Sequence, residues 1–118
     1  MNWIESPSLE RVEHYLGLVT FRHQLISSNL ANADTPGYRT QDIDFASEMQ
    51  RAEQRLQGSA PSPRAKEVRG LIERPDGNNV SLDRETLALA QVQLQYRTGV
   101  ELLRNEIHTI LSAINEGK

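Results

Sequence analysis

Apolar residues gather toward the two ends of the chain and recur there at helical intervals. After Ser6-Pro7-Ser8, the residues Leu9, Val12, Leu16, Val19, His23, Ile26 and Leu30 follow one another in steps of three and four. That spacing predicts an amphipathic helix over about 8–32 with a seven-residue repeat and one polar interruption at His23. Tyr15, Leu18 and Leu25 widen the stripe to one side. Ser6 suits the N-cap and Pro7 the first helical position. Thr35-Pro36-Gly37 ends the pattern, because the residue before a proline is pushed out of helical geometry. Pro36 and Gly37 fit the two central positions of a type II turn.

Turn and extended chain are expected over 33–43. A short helix over 44–57 follows, with Asp44 as its cap and Phe45, Met49, Ala52 and Leu56 on one face. The stretch 58–81 is polar, carries prolines and has no helical period, so a flexible region is expected there. Val68 to Glu73 is a candidate short strand, and Asp76-Gly77 is a turn signal.

The last element is the strongest. A helix over 82–115, capped by Ser81 or Asp83, carries Leu82, Leu89, Val92, Tyr96, Val100, Leu103, Ile107, Ile110 and Ile114 on its main stripe. The seven-residue phase slips near Gly99. Leu87, Ala90, Leu94 and Leu102 make a second row, so the apolar face is broader than one partner helix covers. The expected architecture is therefore all-α and one unit over 1–118. Two long terminal amphipathic helices pack in coiled-coil fashion, with a short helix and an irregular middle holding at most a small β-hairpin. Leu9, Val12, Leu16, Val19, Ile26, Leu89, Tyr96, Val100, Leu103, Ile107, Ile110 and Ile114 are the expected assembly faces. The alternative is a self-contained helical adaptor or regulator, a three-helix bundle in which Phe45, Met49 and Leu56 close the third side.

Composition narrows the function. The 118 residues carry 13 Lys and Arg against 16 Asp and Glu, a net charge of −3 with no basic run. That argues against a nucleic-acid partner. There are no cysteines, which removes disulfides and cysteine metal sites. His14, His23 and His108 have no partner at a zinc-helix spacing. No carboxylate pair sits in an apolar setting, and there is no phosphate loop or nucleophile elbow. Catalytic residues, a cofactor, a metal and a small-molecule substrate are accordingly not expected. Nothing at the start reads as a signal peptide, and no stretch reaches the roughly 20 apolar residues of a membrane span.

One segment is more specific. Ser27-Ser28-Asn29-Leu30-Ala31-Asn32-Ala33-Asp34-Thr35-Pro36-Gly37-Tyr38-Arg39 resembles the signature that closes the N-terminal helix of bacterial flagellar rod and hook proteins. Asp42-Ile43-Asp44-Phe45 and Asp76-Gly77-Asn78-Asn79-Val80-Ser81-Leu82-Asp83-Arg84-Glu85 are similar to segments of the proximal-rod type within that family. The resemblance implies a structural subunit of the rod that crosses the periplasm, exported without a cleaved signal peptide and needed for motility. The partners it implies are copies of itself, other rod proteins, the adaptor at the rod base, the membrane-ring protein and the flagellar export apparatus. It gives Asn29, Asn32, Thr35, Pro36, Gly37 and Tyr38 to one motif and Asp76, Gly77, Asn78, Val80 and Asp83 to a second. In the first, the amides of Asn29 and Asn32 are expected to hold the chain reversal, with the Tyr38 ring packed and its hydroxyl in water.

Overall fold

The computed structural model describes residues 6–54 and 62–116. Its elements are α1 (Pro7–Ala31), β1 (Gln41–Asp42), α2 (Phe45–Glu53), β2 (Lys66–Glu67) and α3 (Leu82–Glu116). Each helix starts where the chemistry provides a cap. Ser6 Oγ accepts from Leu9 N with Pro7 at the first helical position, Asp44 accepts from Ser47 N, and Ser81 Oγ accepts from Arg84 N. Each side chain takes over one of the amides that a helix start leaves without a partner. Ser81, rather than Asp83, caps α3.

The two long helices run antiparallel. Asn29 meets Glu85, Arg22 reaches Gln91 and Gln95, and Leu16 lies on Gly99. The slip of the seven-residue pattern at Gly99 thus has a cause. A Cβ there would collide with the Leu16 Cδ2 methyl and lie 3.1 Å from Leu16 Cγ, so glycine lets the two helices approach closely. Val19, Ile26, Ala88 and Val92 form the core, with Tyr15, Phe45 and Leu89 packed against it. The Tyr15 and Phe45 rings meet edge to face at 5.4 Å, which brings α2 onto the side of the long pair.

The face that α3 turns inward corrects the expected one. Its buried residues are Glu85, Ala88, Val92 and Gly99, small or polar side chains in steps of three, four and seven. On α1 the buried seam runs Val12, Val19, Ile26 and Asn29, with half-buried Tyr15 and Arg22 between them. His23 is exposed, so Arg22 and Asn29 are the polar interruptions of that seam. Of the expected assembly residues, Val12, Val19 and Ile26 are instead buried within the single chain. Leu9, Leu16, Leu89, Val100, Leu103 and Ile110 are half-buried, while Tyr96, Ile107 and Ile114 are exposed. Leu87 and Leu94 flank the seam on one side at 62% and 65% exposure, and Leu82 and Leu111 on the other at 57% and 54%.

Three further differences concern the middle. The short helix ends at Glu53 with Gln54 as its C-cap; Leu56 lies outside the described residues. The small antiparallel sheet is long-range and not a local hairpin. Gln41 pairs with Glu67 and Asp42 with Lys66, and Val68 N donates to Thr40 O at 2.9 Å. The strand expected over Val68 to Glu73 therefore falls at Lys66–Glu67. Lastly, the stretch before α3 is not loose throughout: Asn78, Asn79 and Val80 are buried. The partners of Asn78 and Asn79 lie in the segment from Asn32 to Thr40.

Candidate functional site

The two sequence motifs form one interlock. The first begins where α1 ends. Asn32 N donates to Ser28 O, Asn32 Nδ2 donates to the same carbonyl at 2.8 Å, and Thr35 Oγ1 donates to Asn32 Oδ1 at 3.0 Å. Tyr38 N then donates to Thr35 O at 3.2 Å across Pro36 and Gly37. Gly37 has φ 76, the positive value that the third position of a type II turn requires.

The second motif is a tight loop. Gly77 N donates to Arg74 O and Arg74 N to Asn78 O, both at 2.9 Å, and Asn78 N donates to Asp76 Oδ1. Gly77 has φ 87, and a Cβ on it would lie 3.3 Å from Gly37 Cα. The two loops are stacked glycine on glycine.

Hydrogen bonds then join them. Gly37 N donates to Asp76 O at 2.9 Å and Asn79 N to Tyr38 O at 3.3 Å. The fully buried Asn78 amide donates to Asn32 O at 2.9 Å and to Thr35 O at 2.8 Å, while its oxygen accepts from Val80 N at 2.8 Å. One side chain thereby spans the end of α1, the turn and the entry to α3. Asn79 Oδ1 accepts from Thr40 N at 2.7 Å, and Arg74 donates to Ala33 O. Asn79 Nδ2 and Thr40 Oγ1 are buried without a partner among the described residues.

Asn29, buried on α1, uses its whole capacity. Its nitrogen donates to Gln41 O at 2.8 Å and Glu85 Oε1 at 2.9 Å. Its oxygen accepts from Tyr38 OH at 3.0 Å and Gln41 N at 3.1 Å. Two donors and two acceptors are all that an amide side chain offers. The Tyr38 hydroxyl is therefore bonded to protein and not left to water. The Asn32 side chain holds only its own helix end and turn.

A charged cluster closes the same end of the helix pair. Asp42 receives Arg22 Nε at 3.1 Å and Arg84 Nη2 at 2.7 Å, and Arg84 Nη1 reaches Glu85 Oε1 at 3.0 Å. Burial by itself pushes the Asp42 carboxyl up. The hydrogen bonds from Arg22, Arg84 and Ile43 N outweigh it and hold the group below its ordinary value. Burial raises the Glu85 carboxyl, against the pull of Arg84 and Asn29; its second oxygen has no partner among the described residues. Asp83, given to the second motif, is exposed on the first turn of α3, where a negative charge suits the helix dipole.

The two carboxyls make opposite contributions to stability on acidification. As pH falls from neutral, Glu85 takes up its proton in the folded chain before it would in the unfolded one, which stabilises the fold. Below the ordinary carboxylate range the unfolded chain protonates at Asp42 while the folded chain does not, and that stabilisation is lost. Denaturant titrations from neutral to about pH 3 are expected to show a maximum on the acid side of neutrality. Glu85→Gln removes the rise and Asp42→Asn the fall; a curve unchanged by both substitutions would contradict the assignment.

The interlock is built to hold backbone. No group of His, Asp and Glu among the described residues is arranged to hold a metal ion. Sequence reasoning did not single out Arg22, and it met Arg84 and Glu85 only as part of the second segment; each has a partner on another element.

The family model for "Flagella basal body rod protein" matches residues 24–39, the end of α1 and its turn. Beyond that segment, the chain is similar to the flagellar basal body rod protein FlgB of Yersinia ruckeri, with 33% identity over 86% of this chain and 89% of the relative. The FlgB proteins of Escherichia coli K12 and Cereibacter sphaeroides are 33% and 32% identical. Those matches cover 86% and 79% of this chain, and 88% and 82% of the relatives. With signature, interlock and near full-length similarity together, the chain belongs to the FlgB family of flagellar basal body rod proteins.

Proposed function

We propose that the chain is a structural subunit of the proximal rod of the flagellar basal body, built into the shaft through its long helices and performing no reaction of its own. The observation that carries this reading is the outward placement of large apolar side chains on α3. Leu87, Leu94 and Leu102 lie on one flank of its buried seam, and Leu82, Tyr96, Ile107, Leu111 and Ile114 on the other. Covering each such side chain is worth about 1.5 kcal/mol or more, a gain open to neighbouring chains. The interlock serves the assembly by presenting α1 and α3 as one antiparallel unit in fixed register. Copies of the chain, other rod proteins, the adaptor at the rod base and the membrane-ring protein are the proposed neighbours.

The test is deletion of the gene, followed by electron microscopy of isolated basal bodies. Rings without a shaft are the expected result, and restoring the gene should restore the shaft and motility. Intact shafts in swimming deletion cells would refute the proposal.

A further inference from the structure

Asp76–Gly77 is the one step in the 118 residues where an aspartate or asparagine precedes a glycine. At such a step the glycine nitrogen can attack the side-chain carboxyl carbon of the residue before it, because no Cβ on the glycine crowds the approach. A Cγ–N bond forms, and the hydroxyl of the neutral carboxyl leaves with the amide proton as water. The product is a five-membered succinimide. Water then reopens the ring at either carbonyl. Opening at the side-chain carbonyl restores aspartate. Opening at the backbone carbonyl gives isoaspartate, whose main chain runs through Cβ and Cγ and is one methylene longer. The water lost in the first step is regained in the second, so no other reactant is consumed.

In the folded chain the reacting groups are held apart. Ring closure requires rotation about the Cα–C bond of Asp76, which moves its carbonyl oxygen and the Gly77 nitrogen together because the peptide is planar. Both are engaged: Asp76 O accepts from Gly37 N, and Gly77 N donates to Arg74 O, each at 2.9 Å. The Asp76 carboxylate is held as well, with Oδ1 accepting from Asn78 N at 2.9 Å. Arg39 Nη1 donates to the next carbonyl, that of Gly77, at 3.1 Å. Asp76 is nonetheless exposed, so geometry and not burial restrains it.

The same geometry has no room for the product. A Cβ on Gly77 would stand 3.3 Å from Gly37 Cα. An extra main-chain methylene one residue earlier displaces Gly77 from that stack and carries the peptide carbonyl away from Gly37 N. Asn78, whose amide reaches Asn32 O and Thr35 O at 2.9 and 2.8 Å, is displaced with it.

We propose that Asp76 is a site of isoaspartate formation that the closed interlock suppresses and an opened interlock releases, and that an isomerised chain cannot close the interlock again. The modification is a covalent record of opening at this tip of the helix pair. It is a property of the single chain and does not depend on the rod reading.

The full-length chain is incubated at mildly acidic pH, native in one arm and unfolded in guanidinium in the other. After digestion, isoaspartate is read by methyl transfer from S-adenosylmethionine with an isoaspartyl methyltransferase, and it is located by fragmentation of the tryptic peptide 70–84. The unfolded arm is expected to gain isoaspartate at Asp76 about tenfold faster or more, since a reaction of the opened state follows that state's population. Asn78→Ala should raise the rate in native buffer by about tenfold or more. Guanidinium just below the unfolding midpoint, applied to the unsubstituted chain, should do the same and serves if that variant does not fold. Asp76→Glu, which would have to close a six-membered ring, should yield no product at this position in either arm. Isomerised chain, purified and returned to native buffer, is expected to melt below the unmodified chain. Equal rates in the two arms would overturn the suppression by the interlock. Isoaspartate spread evenly over Asp34, Asp42, Asp44, Asp76 and Asp83 would overturn the site. Coincident melts of isomerised and unmodified chain would overturn the loss of closure.

Discussion

Asn78→Ala is expected to destabilise the folded chain by about 3 kcal/mol. The side chain is fully buried; its amide donates to two carbonyls from the end of α1 and the turn, each of which also accepts a backbone amide, while its oxygen takes the Val80 amide. Alanine removes all three bonds at once; the carbonyls of Asn32 and Thr35 keep their backbone donors, but the buried Val80 amide loses its acceptor and keeps its desolvation cost. Asn79→Ala is the informative companion. Asn79 is also buried, but its side chain contributes one bond, from Thr40 N, and its nitrogen already has no partner among the described residues. The loss there should be nearer 1 kcal/mol. Denaturant unfolding of the two variants under the same conditions checks the ranking, and equal losses would mean that burial rather than bonding sets the cost.

Asp42→Ala should cost a similar amount, about 3 kcal/mol. Removal of the carboxylate leaves Arg22 and Arg84 facing each other, with side-chain exposures of 14% and 26%. Arg22 retains Gln91 and Gln95, and Arg84 retains Glu85, so the penalty is smaller than for a fully stranded charge. In a chain of this size the change corresponds to a melting temperature lower by about 10 °C. Glu53→Ala provides the control. Glu53 pairs with Arg11 at 3.6 Å with both side chains half in water, and an exposed pair of that kind contributes little. Melting curves that fall equally for both variants would place the Asp42 cluster among ordinary surface pairs.

The helices were legible because their evidence is local. Apolar steps of three and four, Ser6, Asp44 and Ser81 at the starts, and Thr35-Pro36-Gly37 at the stop each act over a few residues. The face that each helix buries was not. Counting apolar residues favours Leu and Ile for the interior, yet α3 turns Glu85, Ala88, Val92 and Gly99 inward. Glu85 is tolerated there because Asn29, 56 positions earlier, meets its carboxylate, and no window along the sequence contains both. The middle region was hidden for the same reason. Gly-Asn-Asn in a polar stretch reads as loose loop until the carbonyls that Asn78 bridges, 46 and 43 positions away, come within reach. The resemblance had marked both motifs without indicating that each is the other's counterpart.

The stacked Gly37 and Gly77 also determine how the pair of long helices is held. They touch through bare backbone, and with Asn78 and Asn29 they rivet α1 to α3 at one tip, as shears are riveted beyond the blades. Beyond the Arg22–Gln95 bond no hydrogen bond joins the blades among the described residues, and Leu16 lies on the bare backbone of Gly99. A pull on the far end of α3 thus works on a long arm, and the rivet is the place where that leverage is resisted.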